Sequence, residues 1–252
     1  MGQRLGQHFL IREGILRRIA AAACGDSRPA VIEIGPGRGA LTAHLLQLAS
    51  RVIANEIDED LAARLRARFA GEPRLEVVTA NVLEADLSRW GQAVVAGNLP
   101  YYITSPIVER TLRLGPLLER AVFLVQKEVA ERLAALPGSR DYGYLSVLAQ
   151  LCARVETLFG VPPAAFRPPP KVESAVVRLT PHGAPLSADP EGFLRFAARC
   201  FRQKRKTLRN NLLEAYGREA VGSQPEAAMR AEQLSVAQLV DLYRRLRICP
   251  TE

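Results

Sequence analysis

Two stretches of this chain hold residue types that can do chemistry at the end of a strand. The first is Glu33-Ile34-Gly35-Pro36-Gly37-Arg38-Gly39-Ala40. Glycines in such a turn allow a tight reversal and let a ligand lie against the main chain. Glu56 closes the next apolar run, where a carboxylate can accept hydrogen bonds from a ribose diol. Gly35, Gly37 and Ala40 also fit the loose dinucleotide pattern, so the turn by itself does not separate NAD from another nucleoside cofactor, or from a purely structural turn. The second stretch is Asn98-Leu99-Pro100-Tyr101. An aromatic amine is a poor nucleophile because its lone pair is delocalised into the ring. The Asn98 side-chain oxygen and the Leu99 carbonyl can accept hydrogen bonds from its N–H groups, aligning the nitrogen and favouring its pyramidal form. Pro100 fixes its own φ and biases Leu99 towards an extended shape. Tyr101 offers a face on which a base can stack, worth about 1–3 kcal/mol in nucleic-acid complexes. A base in that slot has left its helix or was never in one. The bland alternative is a proline turn with a buried tyrosine.

The elements that must position these residues are legible as alternating short apolar runs and amphipathic stretches over residues 31–160. Strands are expected at Val31–Ile34, Arg51–Ile57, Leu75–Thr79, Ala93–Ala96 and Ala121–Val125. Helices are expected after the glycine turn, at Glu59–Phe69, at Thr104–Leu114 and through Leu136. Repeated strand–helix units imply a parallel sheet with helices on both faces. Ligands bind at the C-terminal strand ends of such sheets, so strands one and four would present both motifs to one crevice. There Glu33 could hold the ammonium of an amino-acid moiety while Glu56 holds a ribose. The cofactor with both ends is S-adenosylmethionine, and this chemistry needs no metal and no covalent nucleophile. Arg154–Phe159 and Glu173–Thr180, joined through a proline-rich segment, predict an antiparallel pair at one sheet edge. The chain from Pro181 to Pro190 reads as a linker, and the remainder is helical in pattern. The division expected is a methyl-transfer domain over 1–182 and a small helical domain over 183–252.

Composition agrees with a globular protein: 252 residues, 48% hydrophobic and 24% charged. This excludes disorder, collagen and disulfide scaffolds. The 34 Lys and Arg outnumber 26 Asp and Glu, a net charge of +8, which suits a polyanionic partner. Residues 181–252 carry 12 of the basic residues against 8 acidic ones, so the smaller segment holds half the excess. Cys24, Cys152, Cys200 and Cys249 form no CxxC pair, and three scattered histidines give no zinc spacing. Reduced thiols, an N-terminus without an apolar signal core, and the shortness of the Ile19–Cys24 run predict a cytoplasmic protein with no membrane contact.

Asn98-Leu99-Pro100-Tyr101 resembles the Asn/Asp-Pro-Pro-aromatic signature of methyltransferases acting on planar amino groups. With it stand Gly6-Gln7-His8-Phe9-Leu10, the glycine turn, the run from Val161 through Phe166-Arg167-Pro168-Pro169-Pro170-Lys171-Val172-Glu173-Ser174 to Val176, the segment Arg202–Leu212, and Met229–Ser235. Together they resemble the bacterial small-subunit ribosomal RNA adenine N6,N6-dimethyltransferases (the KsgA/RsmA family) from about residue 3 to residue 247. The resemblance implies a Rossmann-like class I methyltransferase domain with a small C-terminal helical domain. It implies dimethylation of two adjacent adenines in the 3′-terminal hairpin of 16S rRNA, within the 30S subunit or its precursor, linked to small-subunit biogenesis, by a monomer. Cofactor contacts are implied at His8, Leu10, Gly35, Glu56, Asn81 and Asn98, and Phe166 is implied to help Tyr101 hold the flipped adenine, with an ordinary core aromatic as the alternative. The methyltransferase of large-subunit RNA that confers macrolide resistance shares the turn and the Asn-x-Pro-Tyr motif. A non-catalytic nucleic-acid-binding relative and an NAD-dependent oxidoreductase are rivals from other classes.

Two positions depart from the family pattern. His8 stands where Asn is usual, and Ala80-Asn81 where Gly-Asp is usual. The Asn81 amide oxygen can still accept from the adenine N6, without the charge, so cofactor binding is expected to be retained but weakened. Arg202, Lys204, Arg205, Lys206 and Arg209 form a basic run with no acidic residue. If the run is helical, positions 202, 205, 206 and 209 share one face and suit RNA phosphates, which give orientation while the pocket selects the base.

Overall fold

The computed structural model describes residues 8–248. Gly6 and Gln7 of the N-terminal motif, and Cys249-Pro250, lie outside the described residues. A two-residue strand β1 (Phe9–Leu10) precedes helix α1 (Glu13–Cys24). The expected alternation follows: β2 (Ala30–Ile34), α2 (Ala40–Leu48), β3 (Arg51–Glu56), α3 (Glu59–Arg68), β4 (Leu75–Thr79), β5 (Ala93–Asn98), α4 (Thr104–Leu112) and β6 (Leu118–Gln126). Then come α5 (Lys127–Ala134), α6 (Tyr144–Cys152), β7 (Ala153–Val161), a second two-residue strand β8 (Phe166–Arg167) and β9 (Ser174–Pro181). Helices α7 (Pro190–Cys200), α8 (Leu208–Tyr216), α9 (Arg218–Gly222) and α10 (Val236–Ile248) complete the chain.

The main sheet has seven strands in the order β4-β3-β2-β5-β6-β9-β7. β4, β3, β2, β5 and β6 pair in parallel and β9 runs antiparallel to β6. β7 and β9 are neighbours at one edge, as the sequence predicts. The inner strands are Val- and Ile-rich because helices cover both faces. On one face α1 and α2 bury Leu16, Ile19, Leu41 and Leu45 against Val31, Val52 and Val94. The chain runs outward from β2 through β4 and then returns to place β5 beside β2, with Ile32 opposite Val95 and Glu33 opposite Ala96. The strand order therefore reverses between β2 and β5, the position at which such sheets open a ligand crevice. β1 pairs antiparallel with β8, so the N-terminal segment is tied to the proline-rich segment that the linear sequence separates from it.

Two compact units are formed, one through Ala130 with Arg154–Gly183, the other Glu131–Ala153 with the chain from Ala184 onward. One division falls after Gly183, and residues 131–153, expected in the first domain, belong to the second unit. Their side chains explain it: Ala135, Tyr142, Val147 and Leu151 share one buried cluster with Phe193, Phe196, Leu208, Leu212 and Leu239. The second unit has its own core.

The basic run also departs from expectation. Residues 201–206 are turns and bends, and α8 begins only at Leu208. Asn211 holds this loop open: its Nδ2 donates to the carbonyls of Cys200 and Gln203 (2.9 and 3.2 Å), and its Oδ1 accepts from the Gln203 N–H. A side chain that satisfies loop backbone groups in this way competes with helix formation.

Candidate active site

One cavity opens at the carboxyl ends of β2, β3 and β5. It is lined by His8, Leu10, Glu33, Gly35, Gly37, Glu56, Asn81 and Asn98, every residue the sequence assigns to the cofactor, and by Leu99, Pro100 and Tyr101. Phe166 does not line it. That ring is 3% exposed and sits in the core cluster with Leu10 and Leu16, because in the β1–β8 ladder it lies opposite Leu10 while its neighbour Arg167 lines the cavity.

The glycine turn is locked to the end of β3. The Gly37 N–H donates to Glu56 Oε2 (2.9 Å), and the Ile57 and Asp58 N–H groups donate to Oε1 (3.0 and 3.1 Å). Glu56 therefore keeps a fixed orientation with one oxygen only partly used. Gly37 has φ +55°, and a Cβ there would come within 2.9 Å of the Phe9 ring, so only glycine lets the N-terminal segment close over the turn. Gly35 (φ +67°) has open space beside it, nothing nearer than the Asn98 carbonyl at 3.8 Å.

Glu33 is 1% exposed at the end of β2. Its Oε2 accepts from the Thr42 hydroxyl (2.6 Å), and among the described residues no cation pairs with it. Burial pushes its carboxyl up to about 7; the Thr42 hydrogen bond opposes the shift and the nearby Glu56 charge adds to it. A buried carboxyl that lines a cavity and has no cationic partner among the described residues suits an ammonium group. Thr42 carried no signal in the sequence, being one of three scattered polar residues, with His44 and Gln47, in helix α2.

Asn98 ends β5. Its Nδ2 donates to the His8 carbonyl (2.9 Å), which fixes the amide orientation. Among the described residues no donor reaches its Oδ1, and Asn98 lines the cavity. The Leu99 N–H donates to the Leu124 carbonyl (3.0 Å), tying the turn to β6. Tyr101 is half-buried. Its hydroxyl lies 2.7 Å from Ser174 Oγ, and its ring stacks with the His8 ring at 5.8 Å between centroids and 28° between planes. Burial raises the Tyr101 hydroxyl pKa and the Ser174 hydrogen bond opposes that rise. His8 Nδ1 donates to the Pro168 carbonyl (2.8 Å), which sets the ring tautomer.

Asn81 is less free than expected. Its Oδ1 accepts from the Leu83 N–H (3.1 Å) and its Nδ2 donates to Glu84 Oε1 (2.8 Å). One lone pair of Oδ1 is thereby used by the turn that follows β4. Sequence reasoning also missed Phe9, Arg38 and Arg167, and the 63% exposed ring of Tyr102, all of which line the cavity. Phe9 and Arg167 lay inside recognised motifs, but nothing local showed which way they face.

A mostly parallel sheet whose order reverses at a glycine turn, with an Asn-x-Pro-Tyr turn on the adjoining strand, defines a Rossmann-like class I methyltransferase. The sequence model of the family "Ribosomal RNA adenine dimethylase" matches residues 2–247, and the chain belongs to that family. It is 49% identical over 255 residues to the ribosomal RNA small subunit methyltransferase A of Acidobacterium capsulatum, covering 96% of this chain and 90% of the relative. The protein of the same name in Pseudomonas aeruginosa is 41% identical over 255 residues, with 98% and 95% covered. Among solved structures, a dimethyladenosine transferase from Plasmodium falciparum superposes with a TM-score of 0.80 at 28% identity, over 96% of both chains. The 23S rRNA methyltransferase ErmE superposes with a TM-score of 0.72 at 32% identity, over 95% of this chain and 99% of the other. The chain is therefore an rRNA methyltransferase.

Among the described residues no three His, Cys, Asp or Glu side chains gather as a metal site, and no helix is long and apolar enough to cross a membrane. Cys24, Cys152 and Cys200 are free thiols.

Proposed function

We propose that this enzyme dimethylates the N6 amino groups of two adjacent adenines in the 3′-terminal hairpin of 16S rRNA, with S-adenosylmethionine as methyl donor and the 30S subunit or its precursor as substrate. The observation that carries this reading is that the glycine turn with its two buried glutamates and the Asn98–Tyr101 turn line one cavity. The residues present fit the cofactor. Glu33, buried and without a cation, suits its ammonium group. Glu56 retains acceptor capacity for the ribose diol. The open side of Gly35 leaves the backbone accessible to it. When bound, the cofactor supplies an electrophilic methyl group on a sulfonium.

The chain's own residues prepare the nucleophile. Because Asn98 Nδ2 is engaged by the His8 carbonyl, Oδ1 faces outward as an acceptor. It takes a hydrogen bond from the adenine N6, and the Leu99 carbonyl takes a second. This holds the nitrogen with its lone pair towards the electrophile. Tyr101 stacks the extruded base, which requires the His8 ring to yield that face. Arg205, Lys206 and Arg209 are exposed and have no ion-pair partner among the described residues, whereas Arg202 pairs with Glu214 (3.3 Å) and Lys204 with Glu232 (3.9 Å). The first three are the phosphate contacts, and the other two support the loop that presents them.

The test is methyl transfer from labelled S-adenosylmethionine to immature 30S particles, with the modified bases mapped by mass spectrometry. The expected result is dimethyladenosine at adjacent positions of 16S rRNA and loss of incorporation in Asn98→Ala. Methyl groups on 23S rRNA alone, or equal incorporation by Asn98→Ala, overturn the proposal.

A further inference from the structure

We infer that Ser174 is a positioning residue for methyl transfer, holding the Tyr101 ring in the orientation in which it stacks the target adenine and acting only through the Tyr101 hydroxyl. This rests on the adenine-methylating function proposed above. Ser174 is fully buried as the first residue of β9. Its place is fixed by the register of β9 on β6, where it lies opposite Gln126, and by the adjoining bond from the Lys127 N–H to the Glu173 carbonyl (3.0 Å). The hydroxyl is thus presented from a rigid sheet, the kind of support that holds a site to the required geometry.

Among the described residues the Tyr101 oxygen, at 2.7 Å, is the one partner of Ser174 Oγ. A buried hydroxyl left without a partner is costly, and this hydroxyl–hydroxyl hydrogen bond satisfies Ser174. Tyr101 itself begins a short 3-10 turn after Pro100. Two contacts orient its ring: Ser174 at the tip, and His8 at 5.8 Å against its face. The adenine takes the place of His8 on that face, so during the reaction the Ser174 hydrogen bond is what still orients the tip of the ring. A serine has no packing advantage at a fully buried position, where alanine or valine would serve the core as well. Its hydroxyl is explained by what it anchors. The antiparallel strand β9 thereby contributes to the reaction through a residue that does not line the cavity.

The experiment is a double-mutant cycle of Ser174→Ala, Tyr101→Phe and the pair, read by single-turnover methylation of immature 30S particles and by titration with S-adenosylhomocysteine. Each single variant is expected to lose about tenfold in rate, the worth of one buried hydrogen bond, and to bind S-adenosylhomocysteine as the wild type does. The double variant is expected to be no slower than either single one, since both remove the same bond. Relaxation of ring-13C tyrosine reads the anchoring without turnover: the Tyr101 signal becomes mobile in Ser174→Ala. A Ser174→Ala enzyme at the wild-type rate, a double variant slower by the product of the single losses, or an unchanged Tyr101 ring signal overturns the inference. If Ser174→Ala melts early and loses cofactor binding, Tyr101→Phe at the wild-type rate overturns it instead. A wild-type enzyme that leaves adenine N6 unmethylated refutes the proposed function, and the ring relaxation then still decides the role of Ser174.

Discussion

Lowering the pH from 8 to 6 is expected to weaken binding of S-adenosylhomocysteine about tenfold, because Glu33 must be ionised to receive its ammonium group. Burial holds this carboxyl at about 7, against an ordinary value of 4.5. The sign follows from linkage. In the free enzyme Glu33 is protonated below pH 7, while a bound ammonium favours the carboxylate, so binding at lower pH expels a proton. Apparent affinity then scales with the ionised fraction: about nine-tenths at pH 8, half at pH 7 and one-tenth at pH 6. Calorimetry in two buffers of different ionisation enthalpy measures the expelled proton directly, expected at about 0.9 per site at pH 6 and about 0.1 at pH 8. S-adenosylhomocysteine is the right probe, as it carries the same amine and ribose and does not turn over. Glu33→Gln should bind weakly and with no such dependence.

The free protein gives a second reading of the same group. Its folded-state value lies above the unfolded one, so the folded state holds the proton longer. Stability is therefore lost as pH rises from about 4.5 to about 7, by roughly 3 kcal/mol for a fully buried group. Relative to wild type, Glu33→Gln is expected to melt higher at pH 8 and to show no gain at pH 4. A wild-type affinity that is flat between pH 6 and pH 8, with no proton release, refutes the assignment of Glu33 to the ammonium group.

Asn81→Asp alone is expected to give no gain in cofactor affinity, since the new charge would face Glu84 across a contact that is now a 2.8 Å hydrogen bond. In an enzyme already carrying Glu84→Gln the same substitution should tighten binding severalfold, read by titration with S-adenosylhomocysteine. Neutralising Arg205, Lys206 and Arg209 to Gln together is expected to weaken binding to 30S particles and to flatten the log–log salt slope by about 2 to 3, close to one per lost phosphate contact. Cofactor affinity should not change. Neutralising Arg202, which is paired with Glu214, should change the slope less than any of the three.

The alternation from β2 to β6 was legible because each strand is an apolar run bounded by turn residues, and each helix between them shows one apolar face. Helix α6 was not, because it is buried nearly all round: Leu145, Ser146, Val147, Leu148, Ala149 and Leu151 leave no polar face to mark a period. That same burial is why residues 131–153 join the second unit, a fact carried by contacts with residues beyond 190. Helix α1 carries a helical pattern in Leu16, Ile19, Ala20 and Ala23, but its small alanines make the apolar face a weak one. The two-residue ladder of β1 with β8 has no local signature at all, since its partners lie far apart in sequence.

The site shows the same division between what is local and what is not. Glu33, Gly35, Gly37, Glu56 and Asn98 were identifiable because a strand end fixes where a residue sits, and the reversal of strand order fixes which strand ends meet. What governs their chemistry comes from elsewhere in the chain. Thr42 from α2 and the Glu56 charge act on Glu33. The His8 carbonyl decides which face of Asn98 accepts, and Ser174 from the far edge of the parallel sheet grips Tyr101. Phe166 differs: the resemblance implies a base contact with a core aromatic as the alternative, and its pairing opposite Leu10 places it in the core cluster. The ladder that buries Phe166 also sets Arg167 at the cavity and brings His8 against Asn98 and Pro168. A substitution that loosens β1 from β8 would therefore disturb the acceptor face of Asn98 and the stacking face of Tyr101 together, although neither residue belongs to that ladder.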